Sequence, residues 1–331
     1  MRTPQVMLIA RNRIFGSPDV VSIEEAPIPI PKKGQMLVRI HATTVSTGDW
    51  RLRSKNVPKG YGIIMGLLFG FKHPKYEALG TDLAGEVVAL GEGVSKFQTG
   101  DRVVSNLGMK LGGHAQYRLL NENSATAKIP IDISYEQAVA LVFGGVTALI
   151  FLRDKVKLKK SERLLVIGAG GAVGSSAIQL GQLMGAHVTA VCSTEKVSAV
   201  TELGIKDVID YRERSWLTEM DKYDVILDTV GTITFEKIKH KLTAKGRLGL
   251  VVADLPTTLR NIWISLTQSQ KVFSGSISEN ENDLQFLLSL CKQKKFRPLI
   301  GTTLPFDKIV EAHRIVESRH KLGSLVLAVS R

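Results

Sequence analysis

The chain has 331 residues, of which 44% are hydrophobic and 23% are charged, a composition typical of soluble globular proteins with more than one domain. The net charge is +13, but the basic residues are scattered and only 6% of residues are aromatic, so a nucleic-acid partner is not expected. Two cysteines cannot build a disulfide framework, and the N-terminal residues do not resemble a signal peptide. A cytoplasmic location is therefore predicted.

Residues 1–125 predict a β-rich domain, because short stretches with a period of two, such as 36–46, alternate with turns that contain glycine and proline. One segment, 61–71 (YGIIMGLLFGF), is strongly apolar but has only about half of the roughly 20 residues that span a membrane. We expect it to be a buried or lid segment. Attachment to a membrane surface is the less favoured alternative.

From residue 134 the pattern changes to alternating helices and strands. Ser134 and Gln137 predict a capping box at the start of a helix that extends to residue 154. The predicted strands that follow are 164–168, 187–192, 207–211, 223–230, 247–252 and 272–277. Strands and helices that alternate at this length indicate βαβ units and a parallel sheet, and hence an α/β fold class.

The segment 168-GAGGAVG-174 lies between a predicted strand and a predicted helix. This arrangement is typical of pyrophosphate binding, because glycines allow a sharp turn and the helix N-terminus offers free N–H groups. The spacing is G-x-x-G-x-x-G rather than the strict G-x-G-x-x-G. The predicted cofactor residues here and after later strands are Gly168, Gly170, Gly171, Ala172, Val173, Gly174, Val230 and Val252.

The second strand of this unit ends at Ser193 rather than at an acid. NAD sites usually carry Asp or Glu at this point to bind the ribose 2′-hydroxyl. A hydroxyl at Ser193 and an ammonium at Lys196 instead favour the 2′-phosphate of NADPH. Glu195 is expected to point to solvent, and Tyr211 is predicted to lie against the adenine.

The chain resembles the medium-chain dehydrogenase/reductase superfamily, in its zinc-free quinone oxidoreductase and enoyl reductase branch. The motifs that carry the resemblance are 79-LGTDLAGEVVALGEGVSKFQTGDRV-103, 112-GGHAQY-117, 144-GGVTAL-149, the glycine turn, 224-DVILDTVG-231 and 311-EAHRIVESRHKLGSLVL-327. The resemblance implies a GroES-like catalytic domain at 1–125 and 296–331, and a Rossmann NADP-binding domain at 126–295. The active site would occupy the cleft between them. It also implies a homodimer, which we expect to form through strand 272–277.

The resemblance bears on metal binding as well. The positions of the catalytic zinc ligands in zinc-dependent relatives correspond to Ser46 and to the stretch Gly80-Thr81-Asp82. Serine and threonine are poor zinc ligands, and no cysteine cluster exists for a structural zinc. No metal is therefore predicted. The loop 46-STGD-49 also differs from the Asn-Pro-x-Asp loop usual in the zinc-free branch.

Without a metal, hydride transfer needs an acceptor whose product anion can be stabilised by hydrogen bonds alone. The predicted function is therefore NADPH-dependent reduction of a small hydrophobic quinone or α,β-unsaturated carbonyl. Ser46, Tyr61 and Thr147 are the candidate catalytic donors, and Asp49 and Arg51 are candidates for a structural ion pair. We also hypothesise that residues 61–76 form one wall of the cleft that binds the acceptor. An NADPH-binding structural or regulatory protein is the alternative.

Overall fold

The computed structural model describes residues 6–329 except 219, 276, 277 and 279. The first domain is built on a sheet in the order β14-β15-β3-β4-β5-β7, with β6 paired to β3, and on a separate pair, β1-β2. Its strands are β1 (Val6–Asn12), β2 (Val21–Pro27), β3 (Gln35–Thr44), β4 (Asp82–Leu90), β5 (Arg102–Asn106), β6 (Tyr117–Asn121), β7 (Thr126–Lys128), β14 (Ile300–Pro305) and β15 (Ser324–Ala328). Its helices are α1 (Thr47–Ser54), α2 (Gly62–Phe69) and α10 (Ile309–Glu317).

The second domain contains a six-stranded parallel sheet in the order β10-β9-β8-β11-β12-β13. Its strands are β8 (Arg163–Ile167), β9 (His187–Cys192), β10 (Asp207–Asp210), β11 (Tyr223–Asp228), β12 (Leu242–Leu250) and β13 (Lys271–Phe273). Its helices are α5 (Ala172–Leu183), α6 (Thr194–Thr201), α7 (Phe235–Ile238), α8 (Leu255–Thr267) and α9 (Glu281–Lys292). The strand order reverses between β8 and β11, which is where a doubly wound sheet opens a crevice for a ligand.

A long helical segment connects the two domains. It comprises α3 (Tyr135–Leu141) and α4 (Thr147–Ile150), each followed by a π-helical turn. Ser134 caps α3 through the predicted capping box with Gln137. The stretch Tyr135–Lys155 is long and apolar enough to cross a membrane, but 78% of it is buried inside the protein. It therefore serves as a core helix, and Leu141 and Leu149 lie in the main hydrophobic cluster together with residues of both domains.

The predicted strands match the Rossmann sheet closely, and the largest differences from the predicted bounds are in β12 and β13. β12 begins at Leu242, five residues earlier than predicted, and the described β13 ends at Phe273. β13 is the last strand of the sheet, as expected, while Ile277 of the predicted strand lies outside the described residues. The domain boundary predicted at 125/126 precedes β7, which pairs with β5, so the first sheet extends slightly beyond it.

Candidate active site

The predicted glycine turn joins β8 to α5. Gly168 follows the last residue of β8 with a φ of +82°, a conformation that residues with a side chain rarely adopt. A Cβ at Gly174 would lie 2.1 Å from the carbonyl oxygen of Gly168, so this glycine lets the first turn of α5 pack against the loop. No side chain caps the N-terminus of α5. Its free N–H groups therefore offer a site for an anion.

This turn forms one wall of a cleft of about 310 Å³ whose lining comes from both domains. Seven of the eleven predicted cofactor residues lie in the lining: Gly168, Gly171, Ala172, Val173, Lys196, Val230 and Val252. The first domain contributes Thr47, Gly48, Trp50, Arg51, Val316, Arg319 and Lys321. The cleft thus lies where the parallel sheet opens, between the domains as expected.

The other four predicted cofactor residues lie outside this lining. A Cβ at Gly170 would come within 2.5 Å of Cδ of Lys196, so this glycine makes room for the lysine side chain, while Gly174 shapes the turn. Ser193 is the N-cap residue of α6 and is buried. Tyr211 follows β10, is 51% exposed, and donates its backbone N–H to the carbonyl of Cys192 at 3.1 Å.

Four cationic side chains line the cleft, namely Arg51, Lys196, Arg319 and Lys321, and the lining contains no acidic residue. The ammonium of Lys196 donates to the carbonyl oxygen of Lys321 at 3.0 Å, and the ammonium of Lys321 donates to that of Gly323 at 2.5 Å. Burial, followed by the charge of Lys196, lowers the pKa of Lys321 to about 8. Like charges that are buried together in this way create a strong local preference for an anion.

The two arginines are arranged around Trp50. The guanidinium of Arg319 lies 4.9 Å from the centre of a Trp50 ring and that of Arg51 lies 5.9 Å from one, so both make cation–π contacts. Burial, followed by the charge of Arg319, lowers the pKa of Arg51. Nε of Arg51 is buried without a hydrogen-bond partner among the described residues. An unsatisfied donor of this kind is expected where a ligand supplies the acceptor.

The acid nearest to Lys196 in sequence does not enter the cleft. Glu195 forms an ion pair with Arg212, and its side chain is 59% exposed. It therefore points to solvent, as predicted, and leaves the end of β9 without a carboxylate in the cleft lining.

Comparison with known proteins is consistent with this geometry. A family model described as Alcohol dehydrogenase GroES-like domain matches residues 32–131, and one described as Zinc-binding dehydrogenase matches residues 203–327. The chain is 30% identical over 320 residues to a chloroplast envelope quinone oxidoreductase homolog of Arabidopsis thaliana, covering 92% of each chain. It is 29% identical to the quinone oxidoreductase of Sus scrofa, covering 99% of each. The solved structure of the quinone oxidoreductase from Coxiella burnetii superposes with a TM-score of 0.86 at 26% identity, covering 98% of this chain and 100% of that one.

The chain belongs to the medium-chain dehydrogenase/reductase superfamily, in its quinone oxidoreductase branch. The predicted superfamily with its quinone oxidoreductase branch, the fold class with its GroES-like and Rossmann domains, and the assignment as an oxidoreductase are thereby confirmed. Membership of this family implies a nicotinamide cofactor.

In this member of the family, the three hydroxyls predicted as catalytic donors do not come together in the cleft. Ser46 forms a capping box at α1, donating to Oδ2 of Asp49 at 2.6 Å and accepting from the Asp49 N–H at 3.2 Å. Thr147 donates to the carbonyl oxygen of Phe143 at 2.6 Å, and the Tyr61 hydroxyl lies 3.3 Å from that of Thr258. Each hydroxyl thus has an intramolecular partner, and Ser46, Tyr61 and Thr147 are all outside the cleft lining.

The expected ion pair between Asp49 and Arg51 is wrong. The second carboxylate oxygen of Asp49 accepts from the Gly80 N–H at 2.9 Å, so this buried acid fixes the loop through Ser46 and Gly80. Arg51 extends into the cleft instead. The physical reason is that successive residues of α1 point in different directions, which places Asp49 inside the domain and Arg51 on the cleft side.

The positions that correspond to zinc ligands are occupied by a hydrogen-bonded network. Asp82 is fully buried and accepts from the N–H of Thr44 at 2.9 Å and from its hydroxyl at 2.7 Å. Burial is the main cause that raises the pKa of Asp82 to about 7. Nε2 of His114 lies 2.9 Å from the Thr44 carbonyl oxygen. In the described part of the chain, no three His, Cys, Asp or Glu side chains converge as a metal site would require.

The segment 61–76 does not provide a wall of the described cleft, contrary to the hypothesis above. None of its residues is in the lining. α2 instead buries Gly66 and Phe69 against a small cluster that contains Leu79 and Leu111. Tyr61, at the start of α2, is directed toward α8 rather than toward the cofactor turn.

Sequence reasoning missed several residues of the cleft. Arg319 and Lys321 follow α10 and reach the glycine turn because the N–H of Gly323 donates to the Gly170 carbonyl oxygen at 2.8 Å. The sequence signal that could have indicated them is the pair of basic residues, Arg319 and Lys321, close to Gly323 near the end of the chain. Thr47 was also missed, although it is in the lining and, within the described residues, its hydroxyl has no hydrogen-bond partner.

Proposed function

We propose that this protein is an NADPH-dependent reductase of quinones or α,β-unsaturated carbonyls that acts without zinc. The observation that carries the proposal is the cleft itself, in which four cationic side chains and no acid lie beside the uncapped N-terminus of α5. A dinucleotide brings several phosphate charges to such a site, and each gains charge-assisted hydrogen bonds there.

The choice of NADPH over NADH rests on Lys196 and Lys321. Both ammonium groups line the cleft next to the end of β9, where the adenosine ribose binds in this fold. Their carbonyl partners, on Lys321 and Gly323, are neutral, so neither lysine is neutralised by a carboxylate. Glu195, the acid that could have favoured a 2′-hydroxyl, is held by Arg212. A 2′-phosphate would satisfy the unpaired positive charge.

When bound, the reduced nicotinamide supplies the hydride. The chain's own contribution is to exclude water and to position the acceptor, for which Trp50, Phe143 and Val316 provide apolar walls. The Thr47 hydroxyl is the candidate donor to the acceptor's oxygen, because the other hydroxyl of the lining, on Thr229, already donates to the Ile167 carbonyl oxygen at 2.8 Å. A single neutral hydrogen-bond donor can stabilise the enolate or phenolate that these acceptors form. It stabilises the alkoxide formed from a simple ketone less well.

Two further observations support the acceptor class and the absence of zinc. The relatives from Arabidopsis thaliana and Sus scrofa are named as quinone oxidoreductases or homologues of them. At the positions that correspond to zinc ligands, Ser46 and Asp82 are each engaged in hydrogen bonds that fix the local backbone. A metal there would have to break these contacts.

A steady-state assay with NADPH and a panel of acceptors tests the proposal. Quinones, enones and enoyl thioesters should be compared with simple ketones and aldehydes at matched hydrophobicity. We expect turnover of at least one activated acceptor and none of the simple ketones. Preferential turnover of simple ketones, or tight NADPH binding without turnover of any acceptor, would overturn the proposal.

A further inference from the structure

The apolar segment 61–71 exposes one side of α2. Ile63 and Leu67, one helical turn apart, are 72% and 68% exposed. Ile64, Leu68 and Phe71 are also exposed, while Phe69 on the opposite side is buried in the small cluster beneath the helix. The exposure therefore follows from the way α2 is anchored and is confined to one face.

A second apolar face belongs to α8. Leu259, Ile262, Trp263 and Leu266 are all more than half exposed, and their spacing of three and four residues places them on one side of the helix. The N-terminal end of α8 contacts the residues that lead into α2, because the Leu255 N–H donates to the Lys59 carbonyl oxygen at 3.0 Å and the Thr258 hydroxyl lies 3.3 Å from that of Tyr61. We refer to the exposed apolar residues of these two helices, together with the lysines of residues 55–76, as the α2–α8 surface.

The charge carried by residues 55–76 is entirely positive. Residues 55–76 contain Lys55, Lys59, Lys72 and Lys75 and no acidic residue. On α8 the only basic residue, Arg260, forms an ion pair with Glu236. Asp254 at the start of α8 lies close enough to Lys59 for their charges to interact. The net positive charge of the surface therefore lies on the α2 side, together with Ile63 and Leu67.

The combination of exposed apolar side chains and positive charge distinguishes between the partners that could bind the α2–α8 surface. A second copy of the chain would bring the same four lysines, and a net charge of +13, against an identical surface. A bilayer that contains anionic lipid offers negative headgroups to the lysines and an apolar layer to the side chains between them. Exposed apolar patches with a basic rim are typical of proteins that lie on such membranes.

We propose that the α2–α8 surface binds the headgroup region of an anionic lipid bilayer, with Ile63, Leu67 and their neighbours inserted and the lysines of residues 55–76 at the phosphates. The residues of this surface are not in the cleft lining. The proposal therefore stands apart from the proposed function and does not depend on which acceptor is reduced.

Vesicle sedimentation with the full chain tests this directly. Vesicles of phosphatidylcholine alone are compared with vesicles that also contain phosphatidylglycerol, at low and high salt. We expect binding only to the anionic vesicles, with a marked loss at high salt. Replacing Lys72 and Lys75 by glutamine should weaken binding about 25-fold, since each lysine near the membrane contributes about fivefold.

The apolar contribution is tested with Ile63→Glu/Leu67→Glu, which should lower partitioning to anionic vesicles by about tenfold or more. Ile30→Glu/Ile131→Glu is the matched control, because these side chains are 82% and 88% exposed elsewhere on the first domain. Thermal melting of each variant shows that the fold is intact. Absence of binding to anionic vesicles, or equal losses in both double variants, would overturn the proposal. So would a lipid-free dimer that Ile63→Glu/Leu67→Glu dissociates, because a second copy would then cover the surface.

Discussion

Replacing Lys196 by alanine should separate the two nicotinamide cofactors. The Lys196 side chain crosses Gly170 and ends in the cleft, where its ammonium has a single neutral partner, the Lys321 carbonyl oxygen at 3.0 Å. That partner leaves two of the three ammonium donors available to a phosphate. NADPH and NADH differ only at the 2′ position, so the loss should be confined to NADPH.

The magnitude follows from the type of contact. A hydrogen bond to a charged group contributes about 1.5–3 kcal/mol, which corresponds to roughly 10- to 100-fold in affinity. Burial lowers the pKa of Lys196, because desolvation disfavours its charged form, and a phosphate that pairs with the ammonium opposes this effect. NADH affinity should change by less than about threefold, as expected for a lost apolar contact.

Calorimetric titration of both cofactors into the wild type and Lys196→Ala measures these changes. Lys245→Ala is the matched control, since it removes one positive charge from an exposed strand position of the same domain. It should leave both affinities unchanged. If Lys196→Ala weakens NADPH and NADH equally, the lysine supports the fold of the turn and does not recognise the 2′-phosphate.

Four further outcomes are expected. Because the pKa of Lys321 is lowered to about 8, its positive charge is nearly complete about one pH unit below that value and is lost as the pH rises through 8. NADPH affinity should therefore fall over this range, and Lys321→Met should flatten this dependence in titrations. Because the pKa of buried Asp82 is raised to about 7, its folded state holds a proton that the unfolded state releases from about pH 4. The contribution of Asp82 to the free energy of unfolding should therefore fall as pH rises from about 4 to 7, by about 2.6 kcal/mol between pH 5 and pH 8, and Asp82→Asn should remove this fall in urea unfolding at those two pH values. Thr47→Val should lower kcat about tenfold or more with little change in cofactor affinity, a split that steady-state kinetics and titration can resolve. The edge position of β13 favours a homodimer by strand pairing, and a monomer in sedimentation velocity would contradict it.

Features encoded by neighbouring residues could be predicted from the sequence. The capping box at Ser134 and Gln137, the strand before Gly168 and the helix after it all depend on contacts within a few residues. The Rossmann strands were found because apolar runs recur between helices. Only their ends were uncertain, since strand ends are set by pairing partners such as β11 for β12.

The second half of the cleft could not be predicted in the same way. Lys196 and Lys321 are separated by 125 residues and meet only after the C-terminal segment returns to the glycine turn. The residues that neighbour each lysine in the sequence do not predict such a contact. The clustering of Arg51 and Arg319 around Trp50 likewise results from the packing of α1 against α10.

Two other errors have local explanations. The spacing of Ser46 and Asp49 is that of a capping box, and the structure uses both residues for that purpose, whereas the family resemblance directed attention to catalysis. In 61–71 nearly every residue is apolar, so the pattern does not indicate which face is buried. The anchoring of Phe69 decides it and leaves Ile63 and Leu67 in solvent.

The central claim is a zinc-free, NADPH-specific hydride transfer in this cleft. The most direct measurement is kcat/KM for NADPH and for NADH with the best acceptor of the panel, after exhaustive dialysis against a chelator and with zinc content determined on the same sample. We expect full activity in protein that contains no stoichiometric zinc, and a preference for NADPH of about tenfold or more, as one charge-assisted contact to the 2′-phosphate provides. Equal kcat/KM for the two cofactors, or activity that is lost on dialysis and restored by zinc, would contradict the account.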